Sequence, residues 1–256
     1  MMKFWNRRNK IEFFHSEASI IENFPIIESK ELKLNWVKRA RQDFQDNIKP
    51  HADNIPGFTH LTRCPGIFDL FKYGYVVSLH KDIIIKPKSR GFEWEVISHK
   101  RPPEDSWIND FEIGGQNENT INLISKPPWA SDFILKIVTG WHIIAPKGLK
   151  FILLPIAYPD TFDFTSTIGI INPAITTEVN FQMFWNGSDK DTIIRAGTPL
   201  GHLIPLSEKK YQMVQRIMNQ RDRDWVAKVY SLRSSSFWRY TVRKMKINMY
   251  NKYWKR

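Results

Sequence analysis

The sequence predicts a mainly β fold, α+β overall, in which an antiparallel strand-rich core carries an N-terminal helix and basic C-terminal helices. Three observations predict it. From Val179 to Trp185 the chain alternates, with Val179, Phe181, Met183 and Trp185 on one side and Asn180 and Gln182 on the other. A period of two marks a half-buried strand. Short apolar, β-branched segments recur on both sides of it, separated by glycines and prolines. Beyond Leu206 the spacing turns helical and basic. Between Arg216 and Arg256 there are twelve Lys or Arg against Asp222 and Asp224, which is most of the chain's net charge of +12.

Taken in order, residues 1–28 read as an irregular arm with aromatic anchors at Phe4, Trp5, Phe13 and Phe14. A helix is predicted from Ser29, its cap, to Asn47, with Leu32, Trp36, Ala40 and Phe44 at i+4 spacing. Residues 48–66 read as loop. Strands are predicted over 73–86 and, as its neighbour, Phe92–Ile97. Gly114-Gly115 reads as a loop tip. Phe133–Val138, Trp141–Ile144 and Leu149–Leu154 read as three strands, with Pro146-Lys147-Gly148 as a hairpin turn between the last two. A glycine turn and a proline bound the strand within Ala196–Pro205. So many short strands predict a sandwich, barrel or jelly-roll-like domain. After Ser207, Tyr211, Val214, Ile217 and Met218 predict one helix, and Trp225, Val229 and Leu232 a second. Trp238, Val242, Met245 and Met249 predict a basic amphipathic third. The organisation expected is an arm and helix over 1–66, a β-rich core over 67–206 and a basic helical extension over 207–256.

Of the 256 residues 42% are hydrophobic and 14% aromatic, enough for a buried core, so a disordered chain is excluded. The single Cys64 excludes an internal disulfide and a thiolate metal cluster, which suits a reducing compartment; it reads as a small packed apolar residue. No run of about 18 apolar residues predicts a membrane span. The basic N-terminus lacks the apolar core of a secretory signal, so Asn186-Gly187-Ser188 reads as a turn. A pI near 9.7 favours polyanionic partners: nucleic acid, an anionic membrane surface or an acidic protein.

The order Pro146-Lys-Gly148, Pro155-Ile-Ala-Tyr158, Gly169-Ile-Ile-Asn172, a strand, then Ala196-Gly-Thr-Pro-Leu-Gly-His-Leu-Ile-Pro-Leu206 resembles the β-clip core of dUTPases and dCTP deaminases. The resemblance covers residues 133–206. It implies a nucleotide site at Asn172, Ile175, Thr177 and His202, and it brings the trimer as an expected homo-oligomer. Each of these positions departs from the family pattern. Asn172 stands where an aspartate activates water, and a neutral amide accepts no proton there. Ile175 replaces a stacking aromatic, Thr177 a glycine and His202 a glutamine, while Pro155–Tyr158 offers no cation for phosphate. The implied reading is a β-clip scaffold without the chemistry. The late Ala196–Pro205 segment also resembles an uncharacterised family of tailed phages, particularly of marine cyanobacteria. That resemblance implies a viral protein of the host cytoplasm or virion.

The expectation is therefore a non-catalytic binding or structural protein, with no cofactor and no metal, that contacts nucleic acid or a viral assembly protein. Arg239, Arg243, Lys244, Lys246 and Lys252 would neutralise phosphates, and Trp238, Tyr240, Tyr250 and Tyr253 would stack on bases. The same segment has two other readings. Its Trp238/Val242/Met245/Met249 face enters a lipid surface, or that face docks on the β body and leaves the charges solvated. Aromatic and basic side chains together also suit a protein partner. One alternative is a metal-dependent oxygenase or hydrolase using His80-Lys81-Asp82 and His202. The other is a regulator that binds a nucleotide without hydrolysing it. His142 reads as a core or surface histidine. No Walker loop, dinucleotide fingerprint or G-x-S-x-G elbow occurs in the sequence.

Overall fold

The computed structural model describes residues 9–48, 60–88, 91–97, 111–116, 123, 125–186, 190–231 and 239–254. The N-terminal part supplies β1 (Lys10–His15), α1 (Ala18–Asn23), β2 (Ile27–Glu28), α2 (Asn35–Asp43) and α3 (Pro65–Leu70). The core begins with β3 (Tyr75–Ser78), β4 (Asp82–Pro87), β5 (Phe92–Ile97), β6 (Glu112–Gln116), β7 (Ala130–Ile144) and β8 (Phe151–Leu154). It continues with β9 (Phe164–Ser166), β10 (Gly169–Ile171), β11 (Glu178–Asn186), β12 (Thr192–Ile194) and β13 (Pro199–Pro205). Then follow β14 (Gln212–Ile217), α4 (Gln220–Ser231) and α5 (Arg239–Tyr253).

These strands form three sheets. One runs β14-β1-β7-β11-β9 with β6 also on β7; the second runs β10-β8-β13-β3-β2 and the third β12-β4-β5. Among the described residues every pairing is antiparallel except β1 with β14. The fold is mainly β, as the alternation predicts. Val179, Phe181, Met183 and Trp185 are all fully buried in the main core. Gly201 of β13 lies directly under Phe181, where a Cβ would come within 2.4 Å of the ring. A side chain at that position would hold the first two sheets apart.

The first sheet is covered on both faces near β1. Ile11, Phe13 and Ile143 enter the main core, while their neighbours Phe14 and Ile144 enter a second cluster with the C-terminal helices. The period of two sends adjacent residues to opposite faces, so one strand serves two cores. Residues 9–28 are thus no irregular arm, and the expected anchors Phe4 and Trp5 lie outside the described residues. Lys10–His15 is an interior strand between β14 and β7.

Other expectations change as well. Ser29 caps no α-helix; it is buried and opens a short 3-10 turn, and α2 starts at Asn35. There the Asp160 carboxylate, from a distant loop, accepts the Asn35 N–H at 3.1 and 3.2 Å. Gly114-Gly115 lies within β6, not at a loop tip. Its second glycine leaves room for the Phe92 ring, which a Cβ would meet at 2.9 Å. Residues 133–138 and 141–144 form one strand through a bulge, where the Thr139 hydroxyl donates to Val179 O at 2.7 Å. The Pro146–Gly148 turn exists, with Leu149 N–H donating to Pro146 O at 3.0 Å. It is not a hairpin, because it carries the chain from the first sheet to the second. Tyr211 to Met218 is no helix: β14 runs through it, parallel to β1 over six residues. Cys64 is exposed, not packed.

Candidate functional site

The basic segment is built on a clamped pair of helices. At the start of α4, Asn219 and Asp222 cap each other: Asn219 N–H donates to Asp222 at 2.8 Å and Asp222 N–H to Asn219 at 3.1 Å. Asp222 is fully buried and also accepts from the Arg216 guanidinium, which reaches Glu12 of β1 at 3.0 Å and lies over Phe14. The helix is thereby tied to the sheet through one arginine. On its inner face Trp225 is 1% exposed and meets the rings of Tyr250, Tyr253 and Trp254 at 5.7, 5.2 and 6.2 Å.

Strand and helix are joined by Tyr250. Its hydroxyl donates to Ala145 O and accepts from Ala145 N–H, both at 3.0 Å. Arg221 lies over Tyr253 and Trp254 at 5.0 and 5.2 Å and donates to Tyr253 O, while the Tyr253 hydroxyl donates to Arg221 O at 2.6 Å. This aromatic cluster holds α5 against α4 and the β body.

The predicted polyanion residues divide accordingly. Arg243, Lys244 and Lys252 are exposed on α5, and Arg221, Arg223 and Lys228 on α4. Lys246 is instead buried, at 8% exposure, and is not offered to a partner. Tyr250 and Tyr253 belong to the helix-to-helix packing and do not stand free for bases. Arg239 and Tyr240 lie on α5, and Trp238 lies outside the described residues. The apolar stripe is rotated from its expected position: Met245 is 47% exposed, whereas Lys246, Tyr250 and Trp254 face inward. Arg221, Arg223 and Lys228 of α4 add exposed cations to those of α5. Their signal in the sequence is the run of basic residues from Arg216 onward, of which Arg221, Arg223 and Lys228 fall on α4.

The other candidate sites do not assemble. Asp82 accepts from Arg195 at 2.8 Å and from Ala196 N–H at 2.7 Å, tying β4 to the turn before β13. His202 is buried with Nε2 at the Tyr73 carbonyl, and its pKa is lowered by burial. His80, Asp82 and His202 thus serve separate places, and no cluster of three metal-ligating acids, histidines or cysteines occurs among the described residues. Asn172 shapes a turn, accepting Ala174 N–H on its side chain at 3.1 Å and Ile175 N–H on its carbonyl at 2.8 Å. Thr177 is buried against His142, with their Oγ1 and Nδ1 3.1 Å apart. Ile175 is half-buried beside them. These residues stabilise the approach to β11; none of them lines either cavity described below.

His80 has a different neighbourhood from the one expected. It is 4% exposed and stands edge-on to His15, their ring centroids 5.5 Å apart, with Phe111 against His80 and Trp141 against His15. Among the described residues, both nitrogens of His80 and Nε2 of His15 have no hydrogen-bond partner. Burial, the mutual repulsion with His15 and the nearby Lys81 push the His80 pKa down to about 3. Burial, then His142, push His15 down to about 4. Both rings are neutral at neutral pH.

Two cavities adjoin beside α2. A groove of about 1010 Å³ follows α2 and the segment before it; a pocket of about 360 Å³ lies between that segment, the β8–β9 loop and the turn into β13. Leu32, Lys33 and Leu34 line both. Among the described residues no helix is long and apolar enough to cross a membrane. No family model matches the chain, and no curated protein matches it in sequence.

Proposed function

We propose that the protein is a non-catalytic binding protein that holds a polyanion, in the first place a nucleic-acid backbone, on the cations of α4 and α5. The observation that carries this reading is the exposure of Arg221, Arg223, Lys228, Arg243, Lys244 and Lys252 on helices fixed to the β body by Tyr250 and Arg216. A fixed cationic surface neutralises phosphates without first ordering a loose tail, which lowers the entropy lost on binding. The resemblance to a tailed-phage family makes a phage genome or particle the setting we propose for it. A lipid surface is the weaker reading, since Met249 packs into the helix cluster and Val242 is half-buried, which leaves Met245 as the exposed apolar group of that stripe among the described residues.

The test is a salt series of binding to single- and double-stranded DNA and RNA by the full chain and by Arg243→Glu/Lys244→Glu. Binding should weaken steeply with salt. The double variant should flatten the slope of log K against log salt by about 0.7–0.9 for each phosphate contact removed. A slope unchanged by the substitution, or no binding at low salt, would sink the proposal.

A further inference from the structure

The groove along α2 and the pocket beside it have complementary chemistry. The pocket's inner wall is apolar, made by Leu34, Ile156, Phe164 and Leu200, all at least nine-tenths buried. At its mouth stand Phe162, 70% exposed, and the hydroxyl residue Thr161, also exposed. The one carboxylate on the wall, Asp160, is turned to the Asn35 N–H and so its charge is partly satisfied by α2. A volume of about 360 Å³ lies at the small end of ligand pockets and admits a body of one or two rings.

The groove is cationic. Lys30, Lys33, Lys38 and Arg41 line it against Glu31. Lys30 is paired with Glu28, but Lys33, Lys38 and Arg41 are exposed and hold no ion pair or hydrogen bond among the described residues. Lys33 borders both spaces. An apolar body seated in the pocket therefore has a cation at its exit and two more along the helix beyond. Cations on a long flexible stem reach a head group there at little geometric cost.

We infer that the pocket and groove form a binding site for a small amphiphilic anion. Its apolar body of one or two rings occupies the pocket, and its acidic head group, carboxylate, sulfonate or phosphate, is held by Lys33 with Lys38 and Arg41. The site is separate from the polyanion surface of α4 and α5 and stands or falls independently of it.

The probe is 5-dimethylaminonaphthalene-1-sulfonate, a two-ring dye whose fluorescence rises on leaving water, compared with its uncharged analogue 1-dimethylaminonaphthalene on the full chain. Saturable binding of the sulfonate is expected. Thr161→Trp, an exposed position where a large ring blocks the mouth, should abolish binding of both dyes. Lys33→Gln and Arg41→Gln should weaken the sulfonate by about two- to fivefold each and leave the neutral dye unchanged. Displacement by phenyl phosphate or by phenylacetate supports the site, and their relative strength names the head group. Displacement by phenol equally well overturns the role of charge. Dye binding indifferent to Thr161→Trp in a variant with an unchanged thermal melt overturns the site itself.

Discussion

At the scale of single residues, the edge-on pair of His15 and His80 has the clearest consequence. An unfolded histidine titrates near its ordinary 6.5, whereas these two take up protons only at about 4 and about 3. Below 6.5 the unfolded chain binds protons that the folded chain refuses, so stability falls as pH drops. The loss begins near 6.5, grows until the folded pKa values are reached, and contributes nothing above neutrality. Lys81 and His142 face the pair and add to its resistance to charge. Urea titrations from pH 7.5 to 4 should therefore show a steep fall, on the order of several kcal/mol. His80→Leu should flatten it. A wild-type stability constant over that range would refute the assignment. Proximity of His80 to Asp82 in sequence suggested a metal triplet; a turn separates them in space, and each finds different company. Sequence showed the residue types but not their neighbours, because His15 of the first sheet and His80, between a strand of the second and one of the third, meet by packing across sixty-odd residues.

At the scale of elements, legibility followed the completeness of the local pattern. β11 displays four alternating large apolar residues and β5 alternates beside β4, so both are plain in the sequence, whereas the stretch 73–86, read as one strand, divides into β3 and β4 in different sheets. β14 is not plain either. Within six residues Val214, Ile217 and Met218 fit a helical spacing as readily as a strand, and only the distant β1 decides between them. The same holds for β6, whose glycine pair reads as a turn until Phe92 is seen across it. α5 was legible as a helix but not in its rotation, since a sheet on one side and Trp225 on the other determine which face turns in. Its docking rests heavily on one hydroxyl. Tyr250→Phe leaves the Ala145 N–H and carbonyl without that partner in a buried place and should cost about 1–3 kcal/mol in urea unfolding. A change within error would show that water or a shifted helix replaces the bond.

At the scale of the whole molecule, the three parts expected from composition are interleaved by pairing. β1 comes from the first, β7 from the second and β14 from the third, and they are adjacent in one sheet. A fragment ending at residue 206 lacks β14 and the helices that cover Phe14 and Ile144. We predict that it has no cooperative thermal transition by circular dichroism. A sharp melt with native aromatic ellipticity would contradict the interleaving. The cavity beside Lys33 belongs to this scale too. Its walls come from the segment before α2, the β8–β9 loop and the turn into β13, and no local stretch of sequence carries its signature.

The parallel pairing of β1 with β14 also orders events during synthesis. Lys10–His15 leaves the ribosome early, yet its partner Gln212–Ile217 is made about two hundred residues later, at roughly ten or more seconds' delay for translation at 5–20 residues per second. Throughout that interval the nascent chain carries an apolar strand, with Phe13 and Phe14, whose outer hydrogen-bonding edge is open to other chains. Final closure of the sheet waits for β14, and the yield of native protein should depend on how well the β1 strand is shielded until then.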